Sequence, residues 1–455
     1  MVLFRKRGFF CIFISFILLS FIYIIPAYNY INVVDYLPVD LVFHLNRMQS
    51  LRNIWHSPIS YTSFGSEGNG VNYFYPWLTY YPAYLLNLVF HSLVKGYIAY
   101  IYLLTIINFC IAYKSMFLFS KSRYQSYIFS LLYTFSAYRA VDIITRNAVG
   151  EYIAISILPF VFYGFYAVLF IDSNKWPLLT IGMSALIYTH VLSTLLTSFF
   201  LLLILMVSWQ YLENHVNKIR ALVLAIIMCL LITAAFWLPM LQQQLLVGIN
   251  RPGIPDLEIK ALNSSALFNG SLDNQLNKVN FGVVSLLIFL TGCMNFKKLQ
   301  SFYKATIVFT GLSLFLSTNL FPWYLLQKTP VTLIQFPWRF LGYASFFISV
   351  YGAFLIVHLS QKSKLKKVIY SLVVILLCVH VSSALIQAHN GSGVKINSSN
   401  ETALIKSFTS TDYYPKKAVS NKKTMSENEM LIGNKVKPFK FTATNNSVVK
   451  GGVKM

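Results

Sequence analysis

Residues 192–209 read LSTLLTSFFLLLILMVSW, eighteen positions without a charged side chain. A helix needs about 20 mostly apolar residues to cross the hydrocarbon core of a membrane, so this stretch is typical of a membrane-spanning helix. Ten other stretches have the same character: 8–25, 97–119, 125–138, 152–171, 177–189, 220–239, 279–296, 303–320, 339–359 and 368–387. The sequence therefore predicts an all-α polytopic membrane protein with about eleven transmembrane helices.

The composition of the whole chain supports this fold class. The 455 residues are 56% hydrophobic and 11% charged, with a mean hydropathy of +0.59. A soluble domain carries about a quarter charged residues, and a soluble core of this composition would leave a large apolar surface uncovered. A soluble domain and a disordered chain are therefore excluded. A disulfide scaffold does not suit a chain whose five cysteines all lie in apolar runs: Cys11, Cys110, Cys229, Cys293 and Cys378.

The positive charge of the chain predicts its orientation. If the N-terminus is cytoplasmic, sixteen Lys and Arg residues fall in short inner segments, against only Asp172 and Glu213. Cytoplasmic loops are enriched in basic residues in this way. The net charge of +23 is thus explained without nucleic acid. The first apolar run has the basic start of a signal peptide but no small-x-small cleavage site, so we interpret it as an uncleaved anchor.

The same topology divides the chain into two parts. Residues 1–388 form the transmembrane domain, with large outer loops at 26–96 and 240–278. Residues 389–455 form a polar extracytoplasmic C-terminal tail, in which Phe439–Ala443 has a pattern typical of a strand. We expect a multi-pass protein of the plasma membrane, with its N-terminus in the cytoplasm and its C-terminus outside.

Several common motifs are missing from the sequence. It has no phosphate-binding Gly-x-x-x-x-Gly-Lys-Ser/Thr loop, no His-Glu-x-x-His and no paired Cys-x-x-Cys. An ATP-driven pump and the usual zinc sites are therefore disfavoured. We predict no cofactor and no metal-ligating residues, and leave open whether a divalent metal takes part.

The sharpest group of charged residues lies just after the first span. Pro38 suits a helix start and Asp40 its first turn, where the helix dipole favours a carboxylate. Asp40, His44 and Arg47 are then spaced for one helical face. One interpretation is an acid with helical ion-pair partners. The other is a carboxylate base held at the outer membrane surface.

Two further groups lie at predicted span ends. Arg139, Asp142 and Arg146 are again spaced for one face, shortly before Glu151. A salt-bridged loop helix explains this pattern as well as a site does. Arg339 enters the tenth span, where it either reaches the interface as many span-end arginines do or presents its planar fork to a phosphate. We interpret His190 as a polar residue of a tight turn.

Taken together, these motifs resemble a known superfamily. The stretch from Asp40 to Arg47, the Phe-Tyr-Pro element at 74–76, Tyr138-Arg139, Arg146 with Gly150-Glu151, and Gln335-Phe336-Pro337-Trp338-Arg339-Phe340 are similar to GT-C glycosyltransferases. Within them, the chain most resembles bacterial membrane proteins labelled 6-pyruvoyl-tetrahydropterin synthase-related, akin to YfhO-type proteins. The resemblance covers most of residues 1–390. Related chains look longer at the C-terminus, so the tail is expected to be minimal or truncated.

The resemblance implies a glycosyltransferase that moves a sugar from a polyprenyl-phosphate donor in the membrane to an envelope glycan or lipid acceptor on the outer face. It implies that Asp40 is the catalytic carboxylate, with Asp35 a weaker candidate. We expect Arg339, Arg146 and Arg139 to contact the donor phosphate, and His44, Arg47 and Glu151 to support the site. The alternatives are a transporter or flippase of a lipid-linked sugar, and a non-catalytic membrane scaffold.

Overall fold

The structure is a computed structural model of the full chain. It describes residues 2–31, 39–66, 68–250, 252–274, 276–360, 377–383, 386, 400–408, 412–416, 429–432 and 435–438. Asp35, most of the predicted span 368–387 and the strand pattern at 439–443 lie outside these residues.

The described chain is mainly helical. Its α-helices are α1 (Val2–Ile31), α2 (Val39–Ser50), α3 (Val71–Phe74), α4 (Tyr81–Phe90), α5 (Leu93–Ser120), α6 (Arg123–Thr134), α7 (Ala137–Ile144), α8 (Val149–Tyr166), α9 (Trp176–Ile187), α10 (Val191–Ser208), α11 (His215–Ile232), α12 (Ala234–Leu246), α13 (Leu257–Lys260), α14 (Ser264–Leu272), α15 (Val283–Met294), α16 (Ser301–Ser317), α17 (Phe340–Ser360) and α18 (Glu401–Ser407).

Shorter elements connect these helices. A π-helical turn, Ala167–Ile171, continues α8, and one-turn 3₁₀ helices lie at Leu51–Asn53, Phe64–Ser66, Leu78–Tyr80, Ser173–Lys175, Trp209–Tyr211, Phe296–Lys298, Trp323–Leu326, Pro330–Ile334 and Pro337–Arg339. In the tail, β1 (Glu429–Ile432) pairs with β2 (Lys435–Pro438) as an antiparallel hairpin.

Five of the described helices are long and apolar enough to cross a membrane. They are Leu93–Ser120, Val149–Ile171, Val191–Tyr211, His215–Ile232 and Pro337–Ser360. Three shorter apolar helices, Phe10–Ile25, Val283–Met294 and Ser301–Ser317, coincide with other predicted spans. The chain is thus a helical, multi-pass membrane protein. The number of about eleven spans stays a prediction.

The other predicted spans differ from the observed helices for local reasons. The stretch 125–138 is divided, because α6 ends at Thr134 and α7 begins after Ser136. The helix in 177–189, α9, has 12 residues and is only about 18 Å long. The stretch 220–239 is divided between α11 and α12 at Thr233.

Polar side chains define where the central helices begin. Ser92 starts α5 by accepting a hydrogen bond from the Lys95 amide, and Ser122 starts α6 in the same way with Gln125. Such caps satisfy amides that have no partner in the first helical turn. Each cap sets the first residue of its helix.

The two most buried spans form the centre of the bundle. Most residues of α8 and α17 are buried, and the rings of Phe162 and Phe346 stack between them with centroids 4.5 Å apart. On another side of α8, Gly164 lies so close to α9 that a Cβ atom would stand 2.9 Å from the Leu179 amide nitrogen. α8 is thus packed against α17 on one side and against α9 on another.

Candidate functional site

A buried carboxylate joins the starts of the two central spans. Glu151, in the first turn of α8, accepts hydrogen bonds at Oε2 from Arg146 Nη2 at 3.3 Å and from Arg339 Nε at 3.2 Å. Its Oε1 accepts from the Tyr138 hydroxyl at 2.5 Å. Residues up to 188 positions apart in sequence therefore meet at one group.

The loop before α8 needs special residues to build this contact. Asn147 has a φ of +57°, a conformation that Asn adopts more readily than most side chains. At Gly150, a Cβ atom would stand 2.5 Å from the Tyr75 hydroxyl and 3.2 Å from the His190 ring. A glycine is therefore required for the first outer loop and His190 to pack against the start of α8.

Asp142 adds a second acid to the group. Its Oδ1 accepts from Arg146 Nη1 at 2.6 Å, whereas its Oδ2 is buried and has no partner within the described part of the chain. Burial raises the pKa of Asp142 well above its ordinary value, and the nearby Glu151 raises it further, against the opposing effect of Arg146. Asp142 therefore takes up a proton more readily than an ordinary Asp does.

Arg339 is oriented by the residues just before α17. Its Nη1 donates to the Ile334 carbonyl at 2.9 Å and to Gln335 Oε1 at 3.3 Å, while Nε donates to Glu151. Among the described residues, its Nη2 has no hydrogen-bond partner. Three hydrogen bonds therefore fix the guanidinium and leave one amino group for a ligand.

Asp40 lies next to this group without contacting it directly. It is the second residue of α2 and is exposed, and the three ion pairs found among the described residues do not include it. Enough protein surrounds its carboxyl for burial to raise its pKa, whereas Arg146 and Arg339 lower it. The carboxyl is thus open to solvent and within electrostatic range of the two arginines.

His44 and Arg47 contact each other instead of Asp40. Arg47 Nη1 donates to His44 Nδ1 at 3.2 Å, and its Nη2 donates to the Pro76 carbonyl at 2.8 Å. Its guanidinium lies 3.7 Å from the centroid of the Tyr75 ring. Burial and Arg47 lower the pKa of His44 well below its ordinary value, so the histidine is neutral. The pair ties α2 to the Phe-Tyr-Pro element.

Arg139 lies deeper in the bundle than the residues around Asp40. It is fully buried and donates from Nη1 to Ser156 Oγ at 2.9 Å and to the Tyr152 carbonyl at 3.3 Å. Its guanidinium lies 3.8 Å from the centroid of the Tyr152 ring. Of the three arginines expected at a donor phosphate, the structure places Arg146 and Arg339 together and Arg139 apart.

Two residues of this region had no assigned role in the sequence. His190 is a buried residue rather than only a polar turn residue; its Nδ1 lies 2.8 Å from Ser193 Oγ. Burial, together with Arg339, lowers its pKa to about 3. Tyr75 packs between His44 and His190. The Phe-Tyr-Pro element contains Tyr75, but no local pattern predicts the contacts of Tyr75 with His44 and His190, because these residues are distant in the sequence.

A large apolar cavity lies deeper in the bundle. It has a volume of about 580 Å³ between α5, α8, α10, α16 and α17, and its lining includes Pro159, Phe162, Tyr303 and Phe346. Pro159 follows Glu151 on α8 by eight residues, about 12 Å along the helix axis.

The described residues contain no group of three or more His, Cys, Asp or Glu side chains able to hold a metal ion.

Comparison with known proteins gives one match. The family model described as "6-pyruvoyl-tetrahydropterin synthase related domain; membrane protein" matches residues 71–390, which include Tyr75, Arg146, Glu151 and Arg339 but not Asp40. No curated protein and no solved structure matches the chain. Because the match covers more than half of the sequence, the chain belongs to the family of 6-pyruvoyl-tetrahydropterin synthase-related membrane proteins.

Proposed function

We propose that this protein is a membrane glycosyltransferase of the GT-C type, which moves a sugar from a polyprenyl-phosphate donor to an envelope glycan or lipid acceptor at the outer face. One observation carries the proposal. Arg146 and Arg339, from two other parts of the chain, meet at Glu151, and both lower the pKa of the Asp40 carboxyl on α2. A base and two phosphate-binding cations are the groups that this transfer needs.

The reaction follows from these roles. The Asp40 carboxylate removes the proton from an acceptor hydroxyl as its oxygen attacks the anomeric carbon of the donor sugar. The bond between that carbon and the phosphate oxygen breaks, and polyprenyl phosphate leaves. Negative charge grows on the leaving phosphate, and fixed cations stabilise it without having to reorganise. A single carboxylate is sufficient for such a direct displacement, which inverts the anomeric centre.

The charge of the buried group supports anion binding. Arg146 and Arg339 are two fixed cations that meet at Glu151, and the raised pKa of Asp142 weakens the negative charge that would oppose an incoming anion. The amino group Nη2 of Arg339 has no described hydrogen-bond partner and is available to a phosphate oxygen. Hydrogen bonds between arginine and phosphate are strong because both groups are charged.

The apolar cavity supports a lipid-linked donor. It shares α8 and α17 with the charged group, and hydrocarbon chains are favoured over water in such surroundings. Arg339 lies directly before α17, and Phe346 lies within α17 about 10 Å further along the helix axis. A donor with its phosphate at Arg339 and its polyprenyl chain at Phe346 would therefore extend along α17.

A transfer assay tests the proposed function. Proteoliposomes that contain the protein, an envelope lipid extract as acceptor and a polyprenyl-phosphate sugar labelled in the sugar are expected to yield labelled acceptor and free polyprenyl phosphate. Liposomes without the protein provide the background. Movement of the intact donor across the bilayer without cleavage would instead identify a flippase and overturn the proposal.

Replacing Arg339 by Lys is expected to weaken donor binding by about 1–3 kcal/mol, the scale of a hydrogen bond to a charged group. Lysine keeps the charge but cannot donate in one plane to Glu151, Ile334 and a phosphate together. Titration of the purified variants Arg339→Lys and Arg339→Ala with polyprenyl phosphate measures the effect. If Lys binds as tightly as wild type, Arg339 is only an interfacial anchor.

Reporter fusions test the proposed orientation. A fusion at residue 123 is expected to report a cytoplasmic position, because the basic residues of the short inner segments flank it. Fusions at 265 and 400 are expected to report an outer position, on the same side as Asp40. A cytoplasmic signal at either of these two sites contradicts the topology.

A further inference from the structure

Two segments of the C-terminal tail lie across the first outer loop. Residues 400–408 and 412–416, here called the tail strap, fall outside the matched region 71–390. Glu401 on α18 is buried and accepts hydrogen bonds from Ser92 Oγ at 2.9 Å and from the Leu93 and Val94 amides. Ile405 is buried in the core, and α18 packs against α2. The tail strap is therefore anchored next to the helix that carries Asp40.

The second part of the tail strap is held by backbone hydrogen bonds on both sides. The Tyr413 amide donates to the Asn250 carbonyl at 3.0 Å, and the Asn250 amide donates to the Tyr414 carbonyl at 2.8 Å. On the other side, the Gly70 amide donates to the Tyr413 carbonyl at 3.3 Å. The buried Tyr414 hydroxyl donates to the Phe64 carbonyl at 2.7 Å. These bonds link both large outer loops through two adjacent residues, Tyr413 and Tyr414.

The backbone of Tyr413 has an unusual conformation. Its φ is +66°, a region in which side chains other than Gly, Asn and Asp are uncommon and which costs conformational free energy. The surrounding hydrogen bonds hold it there. Strained backbone of this kind is concentrated at functional sites, so the direction in which it points the side chain is informative.

The Tyr413 ring packs against two aromatic rings of the first outer loop. Its centroid is 6.3 Å from that of Phe74, in a stacked arrangement, and 6.3 Å from that of Phe43. Its hydroxyl interacts electrostatically with Asp40 and Arg47, and burial raises its pKa. Three aromatic rings, on α2, α3 and the tail strap, thus pack together at the helix that carries the proposed base.

We propose that Tyr413 determines specificity by packing its ring against the sugar of the lipid-linked donor, with Phe43 and Phe74 behind it. The faces of sugar rings carry C–H groups, which pack favourably on the electron-rich face of an aromatic ring. This inference rests on the proposed function. It adds that sugar selection comes from the tail strap, whereas phosphate binding comes from the matched region.

The test compares two ligands on purified full-length protein. Dissociation constants are measured for a polyprenyl-phosphate sugar and for polyprenyl phosphate without sugar, and their ratio isolates the contribution of the sugar. In wild type the sugar is expected to tighten binding about tenfold, the scale of one good aromatic contact. Tyr413→Phe keeps the ring and is expected to keep the ratio.

Tyr413→Asn removes the ring and suits the backbone, since Asn tolerates positive φ. It is expected to bring the ratio close to one and to leave the affinity for polyprenyl phosphate unchanged. Tyr414→Phe, which removes the anchoring hydroxyl, is expected to lower thermal stability without changing the ratio. An unchanged ratio in Tyr413→Asn, or a wild-type ratio of one, overturns the inference alone. A wild type that binds neither ligand overturns the proposed function as well.

Discussion

Asp40→Asn is expected to lower sugar transfer by about 10²–10⁴-fold, the usual contribution of a general base, while the protein still accumulates in the membrane. Asn has nearly the same shape but cannot accept the acceptor's proton. Asp40 forms none of the ion pairs found in the described residues, so little stability depends on it. Losing a first-turn acid costs at most about 1 kcal/mol. Initial transfer rates, normalised to the amount of protein in the membrane, measure the effect.

Asp256→Asn is the matched control for this substitution. Asp256 starts α13 by accepting from the Glu258 and Ile259 amides, and Asn caps helices as well as Asp does. Both the transfer rate and the protein level should therefore match wild type. If Asp40→Asn transfers sugar at the wild-type rate, or if it fails to accumulate, the catalytic assignment is wrong.

The rate should also depend on pH in a way that identifies Asp40. The base is active as the carboxylate, and burial raises the pKa of its carboxyl above the ordinary value. Transfer is therefore expected to fall on acidification at a higher pH than an ordinary Asp would give. The residual rate of Asp40→Asn should lack this acid limb.

Glu151→Gln is expected to destabilise the protein by about 3–5 kcal/mol, because it leaves buried charges without their partner. Two arginines and one tyrosine hydroxyl converge on this carboxylate. Glutamine keeps the size of the side chain, so the loss reports charge rather than packing. We expect a clear fall in the midpoint of thermal unfolding in detergent and in the amount of folded protein extracted.

Two further variants test the origin of that loss. Glu213 is exposed, and Glu213→Gln should unfold at the wild-type temperature. Combining Glu151→Gln with Arg339→Gln removes both members of a buried pair, which costs less than removing one. The double variant should therefore be more stable than Glu151→Gln alone. A wild-type midpoint in Glu151→Gln would mean that the arginines are not held by this carboxylate.

The sequence was sufficient to predict a helical membrane protein, because apolar runs such as 192–209 have no other stable environment. It was not sufficient to place every span. Residues 125–138 and 177–189 are apolar enough, but a break after Thr134 and a turn at Tyr188 end their helices early. Whether a short apolar helix crosses a bilayer depends on its neighbours, and composition does not contain that information.

The candidate site was likewise predictable from the sequence only in part. Helical spacing and resemblance selected Asp40, Arg146, Glu151 and Arg339, and the structure brings these four residues into one region. Spacing also suggested that Asp40 pairs with His44 and Arg47, but those two contact each other and Tyr75. Spacing predicts interactions along one helix, whereas the contact of Arg47 with the Tyr75 ring, which lies directly after α3, follows only from the fold.

The contact between Glu401 and the first turn of α5 has a consequence for biosynthesis. Ser92 and Glu401 are 309 positions apart, and at about 5–20 residues per second the ribosome adds Glu401 roughly 15–60 s after Ser92. During that interval the Leu93 and Val94 amides lack the partner that they have in the finished protein. This end of α5 therefore acquires its final hydrogen bonds only after nearly nine-tenths of the chain has been translated.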